Sequence, residues 1–145
     1  MQIAISPQSL PTQAVSRPEV VAPATLFRAA GNRAFAALQL VAGSDGRLPS
    51  APTASLAIQE VRAGQRLLQS AIVPGLSFSQ RKVAASAISS LNEGVKLLTS
   101  YVEAVAPLGT GGTLPEARVP ASSLDLLLAA RDRILAAAAR VVLNG

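Results

Sequence analysis

The side chains able to do chemistry in this chain are few, and two of the usual types are missing. There is no His and no Cys among the 145 residues. That removes the commonest general base, the commonest transition-metal ligand and every thiolate nucleophile together. A catalyst built here would have to work with Asp, Glu, Lys, Arg, Ser or Tyr alone. The pairs Ser89-Ser90 and Ser122-Ser123 have no base at hand to activate a hydroxyl and read as solvated or helix-capping serines. Leu108-Gly-Thr-Gly-Gly-Thr113 has the glycines of a phosphate loop but no Lys-Ser/Thr pair after it and no strand before it, so it reads as a linker. Tyr101 falls on an apolar helical face and reads as core, its hydroxyl reaching the rim. The chain reads as a non-enzyme, with no catalytic, cofactor-binding or metal-binding residues.

Two charges stand out because they fall where charge is costly. Glu60 lies at the edge of an apolar stripe between Leu56 and Gly64, and Arg131 lies four residues from both Leu127 and Leu135. An unpaired guanidinium in a core is strongly unfavourable, so Arg131 needs an acid or an edge. Three readings stay open: pairing with Glu60, a side chain snorkelling to the rim, and a carboxylate of a neighbouring subunit.

These residues sit on helices. The apolar half of the composition is Ala, Leu and Val, with three Phe, one Tyr and no Trp, which suits closely packed helices better than a sandwich or barrel. The fold class is therefore all-α. An irregular Pro-rich tail over 1–23 precedes one helical domain over 24–145, with helices expected at 24–42, 53–73, 77–106 and 121–143. Thr53, Ser77 or Ser79, and Ser122-Ser123 are the expected N-caps. Gly43-Ser44-Asp45-Gly46 ends the first helix, and 108–120 is a flexible connection. A four-helix bundle is the default architecture, and an extended helical hairpin with flanking helices the alternative.

The inward faces follow from 100° per residue. They are Phe27, Ala30, Ala34, Leu38 and Val41 on the first helix, and Leu56, Ala57, Val61, Gly64, Leu67, Leu68, Ala71 and Ile72 on the second. The third turns in Val83, Ala87, Leu91, Val95, Leu98, Tyr101, Val102 and Val105. On the last helix Leu124, Leu127, Leu128, Ile134, Leu135, Ala138 and Val142 form the expected core or interface face, with Asp125, Asp132, Arg133 and Arg140 opposite. The stretch 126–143 carries Arg131-Asp132-Arg133 at its middle, where a bilayer would charge several kcal/mol for each, so it is not a span. A membrane surface stays open as a partner.

Thirteen basic residues against eight acidic give a net charge of +5. The charges are spread from Arg17 to Arg140, Arg81-Lys82 is the only adjacent basic pair, and no aromatics alternate with them. That pattern argues against nucleic acid. The N-terminus has neither a charged leader nor an unbroken apolar run, so export, if it occurs, is expected without a cleaved signal peptide; the cytoplasm is the other expectation.

Two segments resemble the N-terminal region of bacterial flagellins. LAIQEVRAGQRLLQSAI (56–72) resembles the stretch that opens Leu-Ala-Ile and continues as an amphipathic helix. SSLNEGVKLLTSYVEAVAPLGTGG (89–112) resembles the later Leu-Asn-Glu helix with its Gly-Thr ending, and GSDGRLPSA stands where flagellins carry a turn. The chain departs from the family in its short length, its Pro-rich tail and its Arg-for-amide exchange. The resemblance implies an exported, self-assembling helical subunit of a filament or appendage, without catalytic residues. The expected role is thus a structural assembly protein whose partner is another copy or another helical protein. A small intracellular adaptor, or a granule- or lipid-surface module of the phasin type, is the alternative.

Overall fold

The computed structural model describes residues 21–144. Among these are four α-helices: α1 (Pro23–Leu40), α2 (Ala51–Ala71), α3 (Phe78–Val105) and α4 (Ala121–Asn144). They form a square bundle in which α1 packs on α2 and α4, and α3 packs on the same two. Successive helices run antiparallel. Ala30 and Arg33 of α1 meet Gly64 and Glu60 of α2, while Ser86 and Gly94 of α3 meet Arg140 and Ile134 of α4. The all-α expectation and the bundle hold, and each helix end falls within about two residues of its expected place. The expected tail over 1–23 lies outside the described residues up to 20, and Pro23 is already the first residue of α1, where a missing N–H costs nothing.

The interior is narrow because small residues line it. Ala30, Ala34 and Ala37 of α1, Ala54, Ala57 and Gly64 of α2, Ala84, Ala87 and Gly94 of α3, and Ala130, Ala137 and Ala138 of α4 are all buried. Phe27, Leu68, Leu91, Leu98, Leu127 and Ile134 fill the spaces between these close approaches. A Cβ on Gly94 would lie 2.9 Å from Ile134 Cγ1, so glycine sets how closely α3 and α4 approach.

One end of the bundle is closed by a two-stranded antiparallel ribbon. β1 (Arg47–Pro49) precedes α2, β2 (Thr113–Pro115) precedes α4, and Leu48 pairs with Leu114 as a buried plug. The expected flexible connection over 108–120 is instead pinned. Thr53 Oγ1 donates to the Gly112 carbonyl at 2.8 Å, Ser50 N–H to the same carbonyl at 3.3 Å, and Glu116 N–H to the Gly46 carbonyl at 2.8 Å. Thr53 is therefore a loop clamp and not the N-cap, since α2 begins at Ala51. Ser44 and Arg47 exchange backbone hydrogen bonds around Asp45-Gly46, both with positive φ, as a two-residue hairpin requires.

The opposite end holds the α2–α3 turn. Arg81 donates to the carbonyls of Val73, Pro74 and Leu76 at 2.8, 2.9 and 3.1 Å, and Ser77 caps α3 through Gln80 N–H. Lys82 lies over the Phe78 ring, 5.7 Å from its centroid. The one adjacent basic pair thus has local structural work: Arg81 closes a turn and Lys82 covers an aromatic face.

Candidate functional site

On α4 the expected inward face is out of phase with the structure. Leu127, Ile134 and Ala138 are buried as expected, but the rest of the buried stripe is Ser123, Ala130, Ala137 and Val141. Leu124 is half-buried, while Leu128, Leu135 and Val142 are 43 %, 51 % and 56 % exposed. α3 and α1 approach this helix at Gly94 and Gly31, where an added Cβ would lie 2.9 Å from Ile134 Cγ1 and 3.1 Å from Val142 Cγ2; around these β-branched side chains the buried stripe is filled by small residues. Hydropathy alone centred the wheel on the leucines; packing centred it on the alanines. The same exchange occurs on α2, where Leu56 is exposed and Ala54 and Ala57 are buried.

The displaced large residues of α4 share one surface. Along α1, Ala24, Arg28, Gly31, Phe35 and Leu38 fall at spacings of three and four and so on one face, with Ala42 just past the helix end. Its start meets Val141 and Val142, and its end meets Leu124, Leu128 and Arg131. Phe35, itself exposed, therefore lies midway along the seam, at the level of Leu135. Phe35 of α1 and Leu128, Leu135 and Val142 of α4 are thus the large apolar side chains left exposed along the α1–α4 seam. Phe35 was missed in the sequence, although a phenylalanine seven residues after Arg28 and between Asn32 and Gln39 is an aromatic on a polar face.

The two singled-out charges do not meet. Glu60 accepts from Arg33 Nη1 at 3.1 Å across the α1–α2 seam. Arg131 is on α4, diagonal to α2, so the expected Glu60–Arg131 pairing is corrected to Arg33–Glu60. Arg131 is half-buried and makes no ion pair among the described residues. It lines a cleft of about 380 Å³ at the ribbon end of the seam, shared with Asp45, Arg47, Glu116, Leu124 and Leu128. Half-burial at the edge of a cleft, without an acid partner among the described residues, is compatible with the snorkelling reading.

The remaining chemistry is structural. Tyr101 is fully buried, and its hydroxyl donates inward to the Pro49 carbonyl at 2.7 Å and not to the rim. Burial pushes its phenol up from 10 to about 12. No group of three or more acidic side chains gathers as a metal site among the described residues. Among them, too, no helix is long and apolar enough to cross a membrane. Comparison with known proteins found no matching family model, no matching curated protein and no matching solved structure.

Proposed function

We propose that this chain is a non-enzymatic structural subunit that works by self-assembly through its outward apolar seam. One observation carries the reading: the bundle buries alanine and glycine in its interior and leaves Phe35, Leu128, Leu135 and Val142 exposed by 42 %, 43 %, 51 % and 56 % along one seam. Scattered exposed leucines need no explanation, but a row of them beside an aromatic marks an interaction surface. In its most specific form the subunit belongs to an exported filament or appendage, the role that the flagellin resemblance of 56–72 and 89–112 implies.

Light scattering across a concentration series, followed by negative-stain microscopy, tests the reading. Ordered oligomers or polymers that grow with concentration are expected. A monomer that persists at high concentration overturns it.

A second reading, a lipid- or granule-surface module, has its own observation. Val21, Phe78 and Leu143 are exposed at the end opposite the ribbon, Phe78 by 76 %. It requires co-sedimentation with liposomes or hydrophobic granules, lost on Phe78→Ser, and the absence of sedimentation rejects it.

A further inference from the structure

We propose that the occupant of the α1–α4 seam is a second copy of this chain, docked antiparallel about a two-fold axis that passes near Leu135. The inference rests on the assembly reading and adds to it a surface, a direction and a register.

Leu128, Leu135 and Val142 are spaced by seven residues, with Leu124 four residues before the first and Arg131 and Ala138 between them at steps of three and four. That is the spacing of a coiled-coil seam. The bundle uses only part of it: Ala138 is buried inside, whereas the three residues at the seven-residue spacing face out. A row with this period fits a helix laid lengthwise better than it fits a loop or a compact knob. The α4 helix of another copy carries the same period.

Charge fixes the direction. Parallel docking would set Arg131 against Arg131 of the second copy, with like charges meeting in the seam. Antiparallel docking about Leu135 sets Leu128 opposite Val142 and Arg131 opposite Ala139 of the second copy. It also carries Arg28, at the Val142 end of one seam, towards Asp125 at the far end of the other. The two helix dipoles then oppose each other.

The size is adequate. The 24 residues of α4 make a helix about 36 Å long at ~1.5 Å per residue, and two helices side by side are about 20 Å wide. The face of roughly 700 Å² that results is close to the ~800 Å² per partner of a stable interface. Phe35, at the level of Leu135, supplies an aromatic anchor near the axis, where binding energy concentrates.

The chain has no cysteine, so single cysteines report the geometry directly. Leu135→Cys is expected to form a disulfide-linked dimer under mild oxidation. Leu128→Cys and Val142→Cys are each expected to fail alone and to cross-link when mixed, because a disulfide needs Cα atoms within about 7 Å. Self-linking of Leu128→Cys or Val142→Cys overturns the antiparallel register, and so does failure of Leu135→Cys to link. In the cysteine-free chain, Leu135→Asp is expected to raise the dissociation constant more than about tenfold, with helical circular dichroism retained. Oligomers that survive Leu135→Asp overturn the seam and leave the assembly reading standing. A wild-type monomer at every concentration overturns both.

Discussion

Tyr101 of α3 donates its phenolic hydrogen to the carbonyl of Pro49 at 2.7 Å, and both residues are closed off from solvent. The bond ties the C-terminal third of α3 to the strand that leads into α2, so it holds the ribbon onto the end of the bundle. Tyr101→Phe keeps the ring and its packing but takes the donor from a buried carbonyl. A loss of about 1 to 2 kcal/mol in denaturant unfolding is expected at neutral pH. An unchanged midpoint would show that the carbonyl finds another donor at no cost.

The same hydroxyl gives stability a pH dependence. Burial raises the Tyr101 phenol to about 12 in the fold, against 10 when exposed. Between these values the unfolded chain has released the proton and the folded chain still holds it. The contribution of the neutral phenol is therefore fully present below pH 10 and is lost as pH rises through 12. The loss across that window is on the order of 2 to 3 kcal/mol. Wild type should lose stability there faster than Tyr101→Phe, whose comparison cancels the lysines and other common groups. Parallel profiles for the two proteins would contradict this account.

Gly94 and Gly64 both lie inside helices, yet alanine is expected to act oppositely at the two. A methyl at Gly94 would come within 2.9 Å of Ile134 Cγ1, on a β-branched side chain with little freedom to move. Overpacking there is expected to destabilise by about 1 to 3 kcal/mol despite the better helix propensity of alanine. At Gly64 the nearest atoms are Ala30 O at 3.4 Å and Arg33 Cβ at 3.5 Å, which is ordinary contact. Gly64→Ala should be neutral or gain up to ~1 kcal/mol. Thermal melts of the two variants check the contrast, and equal destabilisation at both positions would contradict it.

Periodicity made the helices legible, because Pro23, Gly43, Pro74 and Pro107 punctuate long amphipathic runs. It also found most of the interior of α3, where Ala87, Leu91, Val95, Leu98, Tyr101 and Val105 are buried as expected and Val83 and Val102 are half-buried. It misjudged α4, since a wheel weights leucine above alanine while two close helices select the smaller side chain. Leu128, Leu135 and Val142, expected on the core or interface face together with Leu127, are instead exposed while Leu127 is buried. The ribbon went unread because its strands have three residues each, too short for an alternation to register. Asp45-Gly46, read only as a helix stop, is the dipeptide of the tight turn between Ser44 and Arg47 that leads into the first strand. The partner of Glu60 was illegible in principle, because it depends on which helices are neighbours and not on any single stripe.

The partner of Glu60 can be checked directly. Arg33 and Glu60 meet at 3.1 Å with side chains 52 % and 29 % exposed, so solvent screens the pair and its value is about 0.2 to 1 kcal/mol. A double-mutant cycle of Arg33→Met and Glu60→Gln should show coupling within that range, reduced by salt. A cycle of Glu60→Gln with Arg131→Met should be additive, since the two residues stand on diagonal helices. Coupling in the second cycle and none in the first would reverse the assignment.

Leu127 and Leu135 lie eight residues apart on α4 and separate folding from assembly. Leu127 is fully buried, and truncation to Ala leaves a cavity that costs about 2 to 5 kcal/mol. Leu135 is half-exposed on the seam and has little local packing to lose. Leu135→Ala should leave monomer stability within about 1 kcal/mol of wild type while weakening self-association, because its methyl groups are buried only when a second surface covers them. Leu127→Ala should lower the thermal midpoint sharply while leaving the seam residues themselves in place. Unfolding measured at low concentration, paired with sedimentation at high concentration, distinguishes the two. If Leu135→Ala lowered stability as much as Leu127→Ala at low concentration, the seam would be part of the core and could not serve as the docking surface.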